Sequence, residues 1–143
     1  MINIHKVEDF EDIKKYLDPH LIDKISDDHF SGVVDFSPFN SWYKFKKDKN
    51  IIGLFMVRPI NSVTVEIHPL FKRRHAKHAK DLGLRIMEKL KVEGITSFIC
   101  EFPDNNTATV KLAESCGFNK VGIKKSSWLK NGELIDILIY QKV

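Results

Sequence analysis

The sequence predicts a mixed α/β fold with the element order βααβββαβαββ, and three observations carry that expectation. A segment opening at Asn105 or Asn106 places Val110, Leu112, Ala113 and Cys116 on roughly one helical face and meets Gly117, a residue suited to the left-handed conformation that ends a helix. Asn131-Gly132, set between the strand-like runs Val121 to Leu129 and Leu134 to Tyr140, is the strongest short signal for a two-residue hairpin. Upstream, Ala79, Leu82, Ile86, Met87 and Leu90 recur at helical spacing between two apolar, strand-like runs.

The remaining elements follow in chain order. Ile2 to His5 reads as a short strand. Glu8, Asp9, Glu11 and Asp12 then place negative charge at the start of a helix carrying Phe10, Ile13, Tyr16 and Leu17. Asp18-Pro19 breaks that helix and opens another, from Pro19 to about Phe30, with Leu21, Ile22 and Ile25 inward; Ser31 to Ser41, with Gly32 and Pro38, reads as a loop. Trp42 to Lys46 alternates aromatic and polar residues, Lys47 to Asn50 turns, Ile51 to Val57 is nearly all apolar, and Pro59 to Ser62 leads into the strand Val63 to His68. The long helix is expected to start near His75 or Ala76 and to stop at Gly94, before the strand Ile95 to Cys100 and a loop from Pro103 to Asn106. Phe118 re-enters the core after the last helix.

At 143 residues, with no internal repeat, low-complexity tract or linker, the chain is expected to form one domain over 1–143. Folding at this size buries roughly two-thirds of the unfolded surface. No run approaches the roughly 20 apolar residues that span a bilayer, and Met1 to His5 does not begin a charged segment followed by an apolar one, so the chain reads as cytoplasmic with no membrane partner. Cys100 in an apolar strand and Cys116 beside a helix stop read as buried reduced thiols, with no metal site. The formal net charge is +4, and the densest positive segment is Lys72-Arg73-Arg74-His75-Ala76-Lys77-His78-Ala79-Lys80. Cations at a helix start suit an anion, because unsatisfied N–H groups and the positive dipole end point the same way. Without aromatic interleaving or a recognised binding module, the cluster does not read as a nucleic-acid site.

This order and the closing segment resemble the GNAT superfamily of N-acetyltransferases over essentially the whole chain. Asn106, Thr109, Leu112, Glu114, Gly117 and Phe118 match its C-terminal signature in register, and Ile67-His68-Pro69 matches its strand end before the cofactor loop. The tail Ser127 to Glu133 with Asp136 also looks like small GNAT-like proteins, several of them encoded by tailed phages. The resemblance implies a central, mostly antiparallel sheet flanked by helices, and acetyl-CoA as cosubstrate. It implies a polarising backbone N–H near Ile67 and cofactor contacts over Lys72, Arg73, Arg74, His75, Ala76, Lys77, His78 and Ala79, with Asn106. Both glycines of the family's phosphate loop are missing here, and a residue with a Cβ is disfavoured at positive φ. The Tyr that often serves as acid falls at Ala113.

Acetyl transfer to an amine needs a neutral nucleophile, a route for its proton and polarisation of the thioester carbonyl. Thr64, Glu66 and His68 share one strand face. Glu66 is the candidate base and His68 a candidate proton relay, while Trp42 and Trp128 either line the acceptor groove or sit in the core. The reading is therefore an N-acetyltransferase acting on a small-molecule or peptide amine. Its rival is a catalytically silent GNAT-like binding or assembly protein, as in a phage particle. Under either reading the partners extend to a homodimer or a phage structural protein, and a phage-encoded chain would sit in the host cytoplasm or the virion.

Overall fold

A computed structural model describes residues 1–28 and 40–143. Its elements are β1 (Ile2–Lys6), α1 (Glu11–Lys14), α2 (Pro19–Ile25), β2 (Ser41–Lys47), β3 (Asn50–Pro59), β4 (Thr64–Leu70), α3 (Ala79–Val92), β5 (Ser97–Pro103), α4 (Thr107–Ser115), β6 (Asn119–Lys130) and β7 (Glu133–Lys142), with a 3-10 turn over Arg73–His78. The expected loop from Ser31, and the end of the second helix at Phe30, lie outside the described residues.

The seven strands form one sheet in the order β1-β2-β3-β4-β5-β7-β6. Neighbours are antiparallel except β4 and β5, which run parallel through the crossover helix α3. Because strand side chains alternate, β2, β3 and β4 each feed two cores. Tyr43, Phe45, Phe55, Val57, Val65, Ile67 and Phe98 pack with Leu82, Ile86, Met87 and Leu90 of α3 and Ala113 of α4. Trp42, Leu54 and Leu70, on the opposite face, pack with Ile13, Tyr16, Leu17 and Leu21 from the α1–α2 region. Phe45, Leu82, Ile86 and Phe98 are fully buried, each worth about 1.5–3 kcal/mol of apolar transfer.

The helix ends follow their local chemistry. Asp18 caps α2 by accepting from the Leu21 N–H at 3.0 Å, and Asn106 caps α4 by accepting from the Thr109 N–H at 3.2 Å. Gly117 ends α4 at φ +91. The β6–β7 turn has φ 53 at Asn131 and 77 at Gly132, the two positive values a type I′ hairpin requires. Both turn N–H groups donate to the Asp28 carboxylate at 2.8 Å. Lys130 donates at 2.7 Å to the carbonyls of Asp23 and Ser26 at the end of α2.

Two expectations need correction, and one strand carries an added irregularity. The first helix is a single turn, Glu11–Lys14, and Tyr16 and Leu17 lie beyond it. The long helix does not begin at His75 or Ala76: Lys72, which makes no side-chain cap bond, is followed by the 3-10 turn, and α3 starts at Ala79. There the His75 N–H bonds the Lys72 carbonyl at 2.9 Å, so an i to i+3 bond takes the place of a cap. Finally, β6 carries a bulge between Lys124 and Trp128, where the Ser126 N–H donates to Asp136 at 2.8 Å.

Candidate active site

Strands β4 and β5 pair over Thr64↔Ser97, Val65↔Phe98 and Glu66↔Ile99. Beyond that register β4 continues to Leu70, held by β3, and β5 continues to Pro103, held by β7. The sheet therefore splits at Glu66. The split leads into an apolar slot walled by Ile67 and Pro69 of β4, Cys100 of β5, Ala79 and Gly83 of α3, and Thr109, Leu112 and Ala113 of α4. Strand edges that have parted offer backbone N–H and C=O groups to a guest, which suits a slender arm carrying amide bonds. Cys100 is held inert in this wall, since burial pushes its thiol up to about 12.

Glu66 and His68 lie on the other face of β4, beside the split. Glu66 is 6 % exposed. Its carboxylate accepts from His68 Nε2 at 2.7 Å and is ion-paired with Arg58, the cross-strand neighbour on β3. The hydrogen bond from His68 and the Arg58 pair outweigh the burial penalty and bring the Glu66 carboxyl down to about 2. A carboxylate that weakly basic is a poor proton acceptor near neutral pH. Because it can only accept, it requires the proton of His68 on Nε2, and in the neutral ring Nδ1 then keeps its lone pair. The chemistry this pair can do thus rests on the imidazole, with Glu66 orienting it.

The basic segment is divided by its own backbone. Arg73 and Lys77 are exposed, and Ala79 lies in the slot wall. Lys72, Arg74 and His75 instead line a second cavity, bounded by α1 and the β2–β3 turn. Tyr16 fastens this side: its hydroxyl accepts from the Lys72 N–H at 3.0 Å and sits 3.0 Å from His75 Nδ1, with the two rings stacked at 5.8 Å. Burial and the surrounding cations push the His75 imidazole down, favouring the neutral ring that accepts from the Tyr16 hydroxyl. Lys72 Nζ lies 4.8 Å over the Tyr16 ring and 3.1 Å from Asp18. Among the described residues, positive φ falls on Asp48, Ser126, Asn131 and three glycines, none of them within 72–79. The absent glycines therefore cost this turn nothing in backbone conformation.

Residues 3–139 match the family described as the acetyltransferase (GNAT) domain. The chain belongs to the GNAT acetyltransferase family. No curated protein matches it. Among solved structures, a spermidine N-acetyltransferase from Vibrio cholerae, in complex with CoA and spermine, superposes with TM-score 0.80 at 15% identity over 99% of this chain and 94% of that one. A probable acetyltransferase from Staphylococcus epidermidis gives TM-score 0.75 at 14% identity, over 99% and 98%. At such identities the likeness is one of fold: a mixed α/β GNAT fold with a mostly antiparallel sheet.

In this GNAT fold the residues singled out from the sequence fall into four groups, one of them Lys72, Arg74 and His75 in the second cavity. Glu66, Ile67, His68 and Ala79 gather at the split, with Ile67 facing the slot and Glu66 and His68 the opposite face. Arg73, Ala76, Lys77 and His78 form the outer side of the 3-10 turn. Asn106 is engaged as the cap of α4. Ala113 presents only a methyl to the slot. Trp42 is buried at 2 % exposure, and Trp128 is a half-buried cross-strand neighbour of Ile135. Arg58 and Tyr16 carry roles the sequence reading missed. Arg58 was accessible in principle by folding the Pro59 to Ser62 turn back on itself to bring 58 opposite 66, whereas nothing local ties Tyr16 to a segment 59 residues away.

Proposed function

We propose that this GNAT protein is an N-acetyltransferase that uses acetyl-CoA to acetylate a small-molecule or peptide amine at the β4–β5 split. The single observation that carries the reading is the parting of these strands at Glu66↔Ile99, with an apolar slot on one face and a histidine–carboxylate pair on the other. The residues fit the cosubstrate: Ile67, Pro69, Cys100 and Ala79 for its pantetheine arm, and the N–H groups opening the 3-10 turn, with Arg73 and Lys77, for its phosphates. Bound acetyl-CoA supplies an acetyl group activated as a thioester.

The transfer forms a C–N bond, breaks the C–S bond and releases one proton from the amine nitrogen. Glu66 holds His68 with its proton on Nε2, so Nδ1 is the atom that takes the amine proton. Arg58 keeps Glu66 ionised and fixed, as a positioning residue rather than a reacting one. The backbone N–H of Ile67, at the last rung of the β4–β5 ladder, is the donor assigned to the thioester oxygen. Ala113 supplies no acid, so the leaving thiolate departs without help from that position of α4. With pKa near that of an ordinary thiol, about 8.5, it is a tolerable leaving group.

Calorimetric titration with acetyl-CoA, followed by a thiol-release screen of amines and peptides, tests this reading. Spermidine and spermine belong in the screen because a fold neighbour is named for them. Binding followed by thiol release with one acceptor class supports it. No heat and no thermal shift removes the cosubstrate; binding with no acetylated product for any amine leaves the silent binding protein, which the missing Tyr favours.

A further inference from the structure

The second cavity is the larger of the two, about 580 Å³, within the range of small-molecule sites, roughly 300–1,000 Å³. Three segments distant in sequence build it. Lys15 comes from just beyond α1, Lys47 and Lys49 from the β2–β3 turn, and Lys72, Arg74 and His75 from the turn before α3. Two carboxylates, Asp12 and Asp48, face the same space, and Asp12 is already paired with Lys44 at 3.0 Å. Five cationic side chains, of which Lys72 is already paired with Asp18, therefore meet two acidic ones in a concave surface, which concentrates positive potential. One wall is rigid, because Tyr16 binds both the Lys72 backbone and His75.

None of the residues lining this cavity lines the slot at the split. We propose that the cavity is a second anion site that takes a compact polyanion of the pyrophosphate class and fills independently of acetyl-CoA. A single phosphate would leave most of the space and most of the cations unused, whereas two linked phosphate groups match more of the volume and of the positive charge that line it. Fork-shaped Arg74 supplies paired donors, the lysines supply point charges, and neutral His75 gains a reason to protonate.

Inorganic pyrophosphate is the probe, titrated by calorimetry into the protein alone and into the protein saturated with acetyl-CoA. The expected result is a site present in both titrations, with affinities within about threefold. Changing Lys47→Glu and Lys49→Glu together, both exposed on the turn, should weaken pyrophosphate at least tenfold, while Lys6→Glu with Lys120→Glu, the same charge change elsewhere, should weaken it less than threefold. In the unaltered protein, NMR titration should show the His75 imidazole pKa rising when pyrophosphate is added, a readout that needs no variant. No heat at millimolar pyrophosphate, equal loss in both double variants, or an unmoved His75 overturns the proposal. Displacement of pyrophosphate by acetyl-CoA overturns independence and assigns the cavity to the cosubstrate. If acetyl-CoA fails to bind, the titration of the protein alone still decides whether the anion site exists.

Discussion

Replacing Glu66 by Gln isolates the charge at the split. The fold lowers this carboxyl from 4.5 to about 2, and at about 1.4 kcal/mol per tenfold change the native state favours the ionised form by about 3 kcal/mol. Gln keeps the shape and one acceptor oxygen but not the charge. Arg58, half exposed, recovers some of its loss from water, so the expected cost at pH 7 is about 2–3 kcal/mol. The native value lies below the unfolded one, so the contribution is fully present above the ordinary glutamate range and is lost as pH falls from about 5 through 2. Urea unfolding of parent and variant at pH 7, 5, 4 and 3 reads this directly, as a gap in stability that closes on the acid side. A gap under about 1 kcal/mol at pH 7, or one that stays constant down to pH 3, would refute the assignment of Glu66 as a strongly held carboxylate.

Other expectations concern function and packing. His68→Gln should lower the rate of thiol release by roughly 10² while acetyl-CoA affinity stays within about twofold, the pattern for loss of a proton acceptor; an equal loss of affinity argues for a binding role. Arg73→Glu with Lys77→Glu should weaken acetyl-CoA at least tenfold, about 1.4 kcal/mol, measured by calorimetry at fixed salt. Gly53→Ala places a Cβ against the Phe71 ring, buried in the main core; overpacking of this kind costs about 1–3 kcal/mol, and an unchanged urea midpoint would show that Phe71 swings away freely.

Much of the fold was legible because its signals are local. Asn106 and Gly117 bound a helix by chemistry carried on their own residues, and Asn131-Gly132 sets a hairpin by its two left-handed positions. The alternation of Thr64, Glu66 and His68 against Val65 and Ile67 likewise separated the two faces of β4. What escaped depends on partners far along the chain. Glu66 reads as a base when seen alone; only Arg58 across the strand pair and His68 beneath it make it a fixed anion. The cations from Lys72 to Lys77 read as one patch because sequence order hides the 3-10 turn that sends Lys72, Arg74 and His75 one way and Arg73 and Lys77 the other. The split itself is a missing pairing between two ordinary strands, and apolar runs do not encode where neighbours part.

The fastening of the last hairpin to the second helix bears on where this chain tolerates alteration. Exposed two-residue turns are ordinarily good places to insert a peptide or to open the chain for circular permutation. The turn at Asp48-Lys49 keeps that freedom, as far as its backbone bonds go. Asn131-Gly132 does not: its N–H groups are held by Asp28, and Lys130 completes the carbonyls at the end of α2. Lengthening it would free polar groups on two elements whose contacts lie more than 100 residues apart in sequence, so a two-residue turn is a permissive junction between β2 and β3 and a forbidden one between β6 and β7.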